Sequence, residues 1–231
     1  MKPRDQLQQA GQSLWLDSIS RELLASGRLR RYIEQLSVTG LTSNPTIFDH
    51  AIEHSSDYDD DIRAGVEAGL SPEEVFFALA LADLSAAAEL FRPAHEASGG
   101  SDGWVSLEVS PRLAHDAGST VAEAKSLYHR AGVDNLFIKI PGTEEDAAPD
   151  TINTMPEQAL EAFADHGTVD QLLPPDGGDA DEVLAAFDRA GVEVTALAAK
   201  LQNDGEQAFD ASWDSLLAAL DRTIDRLGDT R

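Results

Sequence analysis

The stretch NLFIKIPG at residues 135–142 is an apolar run that contains a single charged side chain, Lys139. Apolar residues stand on both sides of the lysine instead of alternating with polar ones, which is typical of a parallel strand covered on both faces. Pro141 and Gly142 end the run, so Lys139 lies near the carboxyl end of the predicted strand. The stretch therefore predicts a buried parallel strand of an α/β protein.

Lys139 is also the first candidate for chemistry. The chain has only four lysines, and the other three lie in polar surroundings or near predicted helix ends. Burial disfavours the ammonium form of a lysine and makes a free amine available. A free amine attacks carbonyl carbons and forms a Schiff base. We therefore expect Lys139 to be a nucleophile, although a lone lysine in a strand often extends its ammonium group to water instead.

Composition limits the possible partners and locations. The chain has 231 residues, slightly below the ~250 typical of an eight-fold (β/α) barrel. Its net charge of -25 disfavours nucleic acid and anionic membranes as partners. The absence of cysteine excludes disulfides and thiolate metal sites. Neither a membrane span nor an apolar signal-peptide core is recognisable, so we expect a cytoplasmic protein.

Strand-like and helix-like segments alternate outward from residues 135–142. Ser71 and Glu74 form a capping-box pattern before a predicted helix, and a stripe of apolar residues from Phe209 to Leu227 predicts a last helix that docks against the domain. The alternation predicts a parallel sheet or barrel. The predicted strands cover residues 14–18, 38–45, 104–109, 135–140 and, weakly, 151–154. The predicted helices cover residues 20–36, 46–53, 71–91, 119–131, 156–166, 181–190 and 194–203.

Polar side chains lie at or near the carboxyl ends of four predicted strands: Asp17, Asn44, Glu108 and Lys139. In a parallel barrel these ends converge on one face, where active sites form. Two carboxylates in different settings can divide the proton transfers that a Schiff-base reaction needs. Two simpler roles are also open, because Asp17 could cap the following helix and Glu108 could form a structural salt bridge with Lys139.

Several segments in order resemble transaldolase, in its larger bacterial subtype. The resemblance covers nearly the whole chain. It rests on LWLD (14–17), VTGLTSNPTIF (38–48), VSLEVSPRLA (105–114), NLFIKIPGT (135–143), TINTMP (151–156) and FDASW (209–213).

The resemblance implies a site and a reaction. Lys139 would form the Schiff base with a ketose phosphate, Asp17 would take the proton from the substrate hydroxyl during carbon–carbon cleavage, and Glu108 would relay protons through a water. An aldose phosphate would accept the three-carbon unit. The resemblance implies neither a metal nor an organic cofactor. The dihydroxyacetone unit would be held by Thr42, Ser43 and Asn44.

The chain departs from the family after residue 142. Within a few residues it reaches TINTMP (151–156), which resembles a much later segment of the family, so the fifth to seventh strands are expected to be missing. The family's phosphate-binding arginine and serine would be missing with them, and no lysine or arginine lies between Lys139 and Arg189. We expect one domain over residues 1–231, an incomplete TIM-type (β/α) barrel with about five of eight strands and C-terminal helices. The apparent internal deletion lies near residues 143–149.

Three functions follow as hypotheses. The first is a transaldolase of the pentose phosphate pathway, which transfers a dihydroxyacetone unit from a ketose phosphate to an aldose phosphate with activity impaired by the missing strands. The second is an inactive remnant that binds or assembles with another chain, including a second copy of itself. The third is a Schiff-base aldolase that acts on small unphosphorylated ketones.

Overall fold

Five parallel strands form one sheet in the order β4-β3-β2-β1-β5 within the residues that the computed structural model describes, which are 12–140, 153–167 and 178–228. Helices connect successive strands from β1 to β4, as expected of parallel pairing. The strands are β1 (Leu14–Asp17), β2 (Gly40–Thr42), β3 (Trp104–Glu108), β4 (Leu136–Lys139) and β5 (Asn153–Met155).

Helices pack around this sheet. The longest two are α5, which runs beneath the sheet, and α9, which crosses the domain at the end of the chain. A short 3-10 turn, Pro111–Leu113, follows β3. The helices are α1 (Arg21–Ala25), α2 (Arg28–Leu36), α3 (Pro45–Glu53), α4 (Asp59–Glu67), α5 (Pro72–Ala97), α6 (Ala117–Ala131), α7 (Glu157–His166), α8 (Ala180–Arg189) and α9 (Val194–Gly228).

The sheet is an open TIM-type barrel. β5 pairs with β1, with Trp15 opposite Thr154, so β5 takes the position that the last strand of a closed barrel occupies beside the first. β4 and β5 lie at opposite edges, and no strand joins them among the described residues. The prediction of an incomplete barrel with five strands is confirmed. The expected deletion near residues 143–149 lies outside the described residues.

The two faces of the sheet differ. The outer face is apolar and packs against the helices, with Leu16, Leu41 and Val105 fully buried. The inner face carries an aromatic stack, in which the ring of Phe137 lies 4.0 Å from that of Trp104 and 6.0 Å from that of Trp15, measured between centroids. The side chains next to this stack, toward the carboxyl ends of the strands, are polar.

The expectation that residues 135–142 are covered on both faces is wrong for the described part. Leu136 is buried on the outer face, but Phe137 on the inner face is 39% exposed and Ile140 is 42% exposed. The physical reason is the open barrel, because β4 is an edge strand among the described residues and no opposite wall covers its inner face. The apolar run is typical of a strand in a closed barrel, and the described residues do not close one.

Helix boundaries differ from the predictions in the first half of the chain. The single helix predicted over residues 20–36 is two helices, because Gly27 adopts a left-handed conformation with φ 74° between α1 and α2. The predictions did not include α4. The capping box of Ser71 and Glu74 is confirmed, and α5 continues past Pro93 to Ala97 rather than ending near residue 91.

The last helix is longer than predicted. The helix predicted over residues 194–203 and the apolar stripe that follows it belong to one helix, α9, of 35 residues. Docking of the stripe is confirmed from Trp213 onward, since Trp213, Leu216 and Leu220 are buried, whereas Phe209 is 44% exposed. Most of the turn predicted at residues 174–179 lies outside the described residues.

Candidate active site

Lys139 and Glu108 form the centre of the site. They are opposite each other in the register of β3 and β4, at the carboxyl ends of both strands. The Lys139 Nζ and Glu108 Oε1 atoms are 2.5 Å apart, and the Lys139 side chain is 39% exposed while that of Glu108 is 13% exposed. The amine is thus neither enclosed by apolar neighbours, as the sequence suggested, nor surrounded by solvent alone. The amine contacts the carboxylate of Glu108, which is mostly shielded from water.

The Thr42 hydroxyl and the Ser43 carbonyl orient the amine further, and Ser106 of β3 supports them. Lys139 Nζ donates to Thr42 Oγ1 at 3.1 Å and to the Ser43 carbonyl oxygen at 3.3 Å. Ser106 Oγ donates to the same Thr42 oxygen at 2.9 Å, and Ser43 Oγ donates to the Ser106 carbonyl oxygen at 2.9 Å. Because Thr42, Ser43 and Ser106 are all buried, this network holds the amine in one direction.

Glu108 is suited to hold a proton. Burial raises the pKa of Glu108 above its usual range; the ammonium of Lys139 opposes this shift, and the negative charge of Asp17 adds to it. Its second oxygen, Oε2, is buried and has no hydrogen-bond partner among the described residues. Glu108 therefore pairs with Lys139 through one oxygen and keeps the other for a proton or a ligand.

Asp17 and Asn44 lie on neighbouring strand ends. Asp17 ends β1 opposite Thr42, and the helix-capping role considered for it is wrong, because the Ser20 side chain caps α1 by accepting the Leu23 N–H. Asn44 caps α3, since its Oδ1 accepts the Ile47 N–H at 3.0 Å. The amide nitrogen of Asn44 is thus the side-chain group that can donate to a ligand.

A cleft of about 370 Å³ opens beside Lys139 and Glu108. This volume lies within the ~300–1,000 Å³ of small-molecule sites. Its far wall is the amino-terminal half of α9, which the sequence analysis did not connect with the site. A signal was available, because three polar residues recur at every fourth position on one face of the helix. They are Gln202, Glu206 and Asp210.

Comparison with protein families shows which family the chain belongs to. The family model described as Transaldolase/Fructose-6-phosphate aldolase matches residues 14–148 and 144–220. The chain belongs to this family. The two matched ranges meet near the predicted deletion, which agrees with a shortened member of the family.

Matches to individual transaldolases also indicate that this chain is shorter than its relatives. The chain is 45% identical to Transaldolase 2 of Nostoc punctiforme over 139 residues, and 48% identical to Transaldolase of Arthrobacter sp. over 143 residues. These matches cover 60% and 62% of this chain but only 36% and 38% of the relatives' lengths. A third relative, Transaldolase of Frankia alni, is 28% identical over 365 residues that include 98% of both chains. That alignment is much longer than this chain, so a long part of the relative has no counterpart here.

The described residues include no candidate metal site and no candidate membrane span. No group of three or more histidine, aspartate or glutamate side chains there is arranged to hold a metal ion. No helix among those residues is long and apolar enough to span a membrane.

Proposed function

We propose that this chain carries out the Schiff-base chemistry of a transaldolase, in which Lys139 carries a dihydroxyacetone unit from a ketose to an aldose. The observation that supports this proposal most is the 2.5 Å contact between Lys139 Nζ and Glu108 Oε1 at the edge of the cleft. A carboxylate with a raised pKa beside the amine provides both a proton acceptor and a proton donor.

Imine formation is the first step. Glu108 takes a proton from the ammonium of Lys139, and the free amine adds to the ketone carbon of the substrate to give a carbinolamine. Glu108 then returns the proton to the carbinolamine oxygen, which leaves as water, and the iminium remains on Lys139. Thr42 Oγ1 and the Ser43 carbonyl oxygen keep Nζ directed toward the incoming carbon during this step.

Carbon–carbon cleavage is the second step. Asp17 takes the proton of the hydroxyl on the carbon that the breaking bond joins to the three-carbon unit. That carbon becomes the carbonyl carbon of the leaving aldehyde, and the electron pair of the broken bond moves to the iminium to give an enamine. An aldehyde leaves, and a second aldehyde accepts the enamine carbon by the reverse sequence. Water then hydrolyses the new iminium and releases the ketose. In this proposal, Ser43 and Asn44 bind hydroxyls of the three-carbon unit.

The substrates, the pathway and the cellular location that the resemblance implies are part of the same proposal. Ketose and aldose phosphates are the substrates that the resemblance implies, and the pentose phosphate pathway in the cytoplasm is the place of the reaction. The chain covers well under half of the length of the two relatives that it matches at 45% and 48% identity. The complete transfer by this chain therefore needs a direct test.

Borohydride trapping tests the proposal. The folded protein is incubated with dihydroxyacetone and borohydride, and the modified lysine is identified by peptide mass analysis. We expect the reduced adduct on Lys139 and its loss in Lys139→Met, while Lys125→Met, at an exposed position of α6, traps normally. Absence of the adduct from folded wild-type protein would contradict the Schiff-base role.

We propose assembly with another chain as a second function, because α8 has no buried residue. Its apolar side chains Val183, Leu184 and Phe187 are 44%, 47% and 51% exposed. Light scattering tests this role, with Phe187→Ser expected to lower the molecular mass in solution. A monomeric wild-type protein with normal turnover would exclude it.

A further inference from the structure

We propose that the cleft selects neutral polyhydroxylated carbonyl compounds over phosphate esters, and that Glu206 and Asp210 of α9 determine this preference. The inference rests on the Schiff-base chemistry proposed for Lys139. It departs from the phosphorylated substrates that the resemblance implies, because the family's phosphate-binding arginine and serine are expected to be missing here. It assigns to α9 a role in specificity and names the chemical class of the acceptor.

The charge of the cleft is the first argument. Among the described residues that line it, Lys139 is the sole lysine or arginine, whereas Glu108, Glu206 and Asp210 are carboxylates. The ammonium of Lys139 already contacts Glu108 at 2.5 Å, and it becomes the imine nitrogen in the reaction. A phosphate group in the cleft would therefore face more negative than positive charge.

The surroundings of the wall do not reverse this balance. Three cationic side chains on or beside the wall are engaged with carboxylates: Arg112 donates to Asp214 at 2.8 Å, His115 Nε2 lies 2.6 Å from Glu206 Oε1, and Lys200 pairs with Asp204. Protonated His115 would offset the charge of Glu206 but not that of Asp210. Residues 140–188, which include chain outside the described part, contain no lysine or arginine at all.

The chemistry of the two ligand classes differs accordingly. A phosphate ester has no strong donor for a carboxylate and carries a charge of about -1.5 to -2 near pH 7, so it is repelled. Sugar hydroxyls are neutral and donate hydrogen bonds to carboxylate oxygens. Apolar residues complete the lining, among them Leu201 and Phe209.

The reaction that fits this cleft is an aldol addition without phosphate. Dihydroxyacetone forms an iminium with Lys139 and releases one water. Loss of a proton from the carbon beside the iminium gives the enamine, which attacks the aldehyde carbon of glyceraldehyde, and the alkoxide formed takes up a proton. Water then hydrolyses the iminium and releases a ketohexose together with the free amine.

The test compares two acceptors that differ only in the phosphate. Dihydroxyacetone is the donor, and kcat/KM is measured for glyceraldehyde and for glyceraldehyde 3-phosphate. We expect a preference of roughly tenfold for glyceraldehyde at low ionic strength, which decreases as salt screens the wall. The double variant Glu206→Gln/Asp210→Asn should raise kcat/KM for the phosphate ester and remove most of the preference.

A matched control separates the effect of carboxylates that line the cleft from the effect of the net charge of the protein. Asp221→Asn/Asp225→Asn removes two exposed carboxylates from the same helix at positions that do not line the cleft, and the preference should remain. An equal or higher kcat/KM for glyceraldehyde 3-phosphate in the wild type, or the same change in both double variants, would overturn the inference. Dihydroxyacetone trapping on Lys139, measured first, shows separately whether the Schiff-base function itself has failed.

Discussion

Glu108 and Lys139 are register partners on adjacent strands, and their side chains meet with Nζ 2.5 Å from Oε1. The pair is therefore positioned by the hydrogen-bonded ladder of the sheet and not by a loop. Thr42 on the next strand contacts the same amine. Side chains held by regular strands keep a precise geometry, so the open barrel retains the part of the wall on which the proposed chemistry depends.

Substitution Glu108→Gln should lower kcat by about a hundredfold or more, because it removes the proton acceptor for Lys139. Burial raises the pKa of Glu108. As the pH falls, the wild type should therefore lose the ionised form of Glu108, and with it activity, at a higher pH than it would with an ordinary glutamate. The pH profile of Glu108→Gln should lack this fall in activity at low pH. The measurement is the pH profile of kcat, with Glu96→Gln on α5 as an exposed control. An unchanged profile in Glu108→Gln would exclude the relay.

Removing the Tyr58 hydroxyl should destabilise the fold by roughly 2 kcal/mol, since it leaves Oδ2 of the buried Asp83 without its donor, while Arg21 Nε still donates to Oδ1. Tyr58 is 1% exposed, and its hydroxyl donates to Asp83 Oδ2 at 2.8 Å. Urea unfolding of Tyr58→Phe gives the loss of free energy. Tyr128→Phe, at an exposed position of α6, should cost far less.

The same variant should change the pH dependence of stability. Burial raises the pKa of Asp83, while its hydrogen bond from Tyr58 and the charge of Arg21 oppose the shift. A raised folded pKa means that the native state binds more protons than the unfolded state, so the free energy of unfolding decreases as pH rises between the two pKa values. Without Tyr58 the folded pKa rises further, and the decrease should extend to higher pH. Unfolding curves at several pH values would reveal it, and identical slopes in both proteins would contradict it.

Gly40→Ala should destabilise the protein by about 1–3 kcal/mol. A Cβ at this position would lie 2.5 Å from Trp15 Cε2 and 2.7 Å from the Trp104 carbonyl oxygen, so the aromatic stack or the backbone must move. Gly205→Ala in α9 is the contrasting change, because nothing lies within 4 Å of its added Cβ. It should stabilise the helix by about 0.5–1 kcal/mol. Thermal unfolding of both variants checks the opposite signs.

Trp213 should be the main anchor of α9. It is 1% exposed and packs edge-on against the ring of Phe76 at 5.1 Å, so Trp213→Ala should cost about 3–5 kcal/mol. Phe209 is one turn earlier on the same helix and 44% exposed, and Phe209→Ala should change stability by no more than about 0.5 kcal/mol. Equal losses in the two variants, measured by urea unfolding, would show that the docked part of α9 begins earlier.

The sequence alone was enough to predict the sheet and the strand-end residues, because both depend on local patterns. The strands around Asp17, Glu108 and Lys139 read as apolar runs that end in a polar group, and parallel pairing brings such ends together. Residues 151–154 gave only a weak strand pattern, and the pairing of β5 with β1 was not predicted.

Other features could not be predicted because they depend on missing or distant neighbours. Exposure of Phe137 and Ile140 follows from the open edge of β4, which a strand's own sequence does not record. Gly27 could equally have continued a helix, and its left-handed conformation is set by the packing of α1 against α2. The wall that Glu206 contributes to the cleft depends on where a long helix packs against α3, α4 and α5, which no periodicity specifies.

The pairing of β5 with β1 has a consequence for synthesis. The ribosome synthesises the first four strands in the order in which they lie side by side in the sheet, so each can pair with the strand made before it. One edge of β1 stays open until residues 153–155 emerge. During that interval the nascent chain exposes an unpaired parallel edge, which another polypeptide can occupy. The yield of native protein should therefore depend on how quickly the ribosome translates the stretch between Lys139 and Asn153.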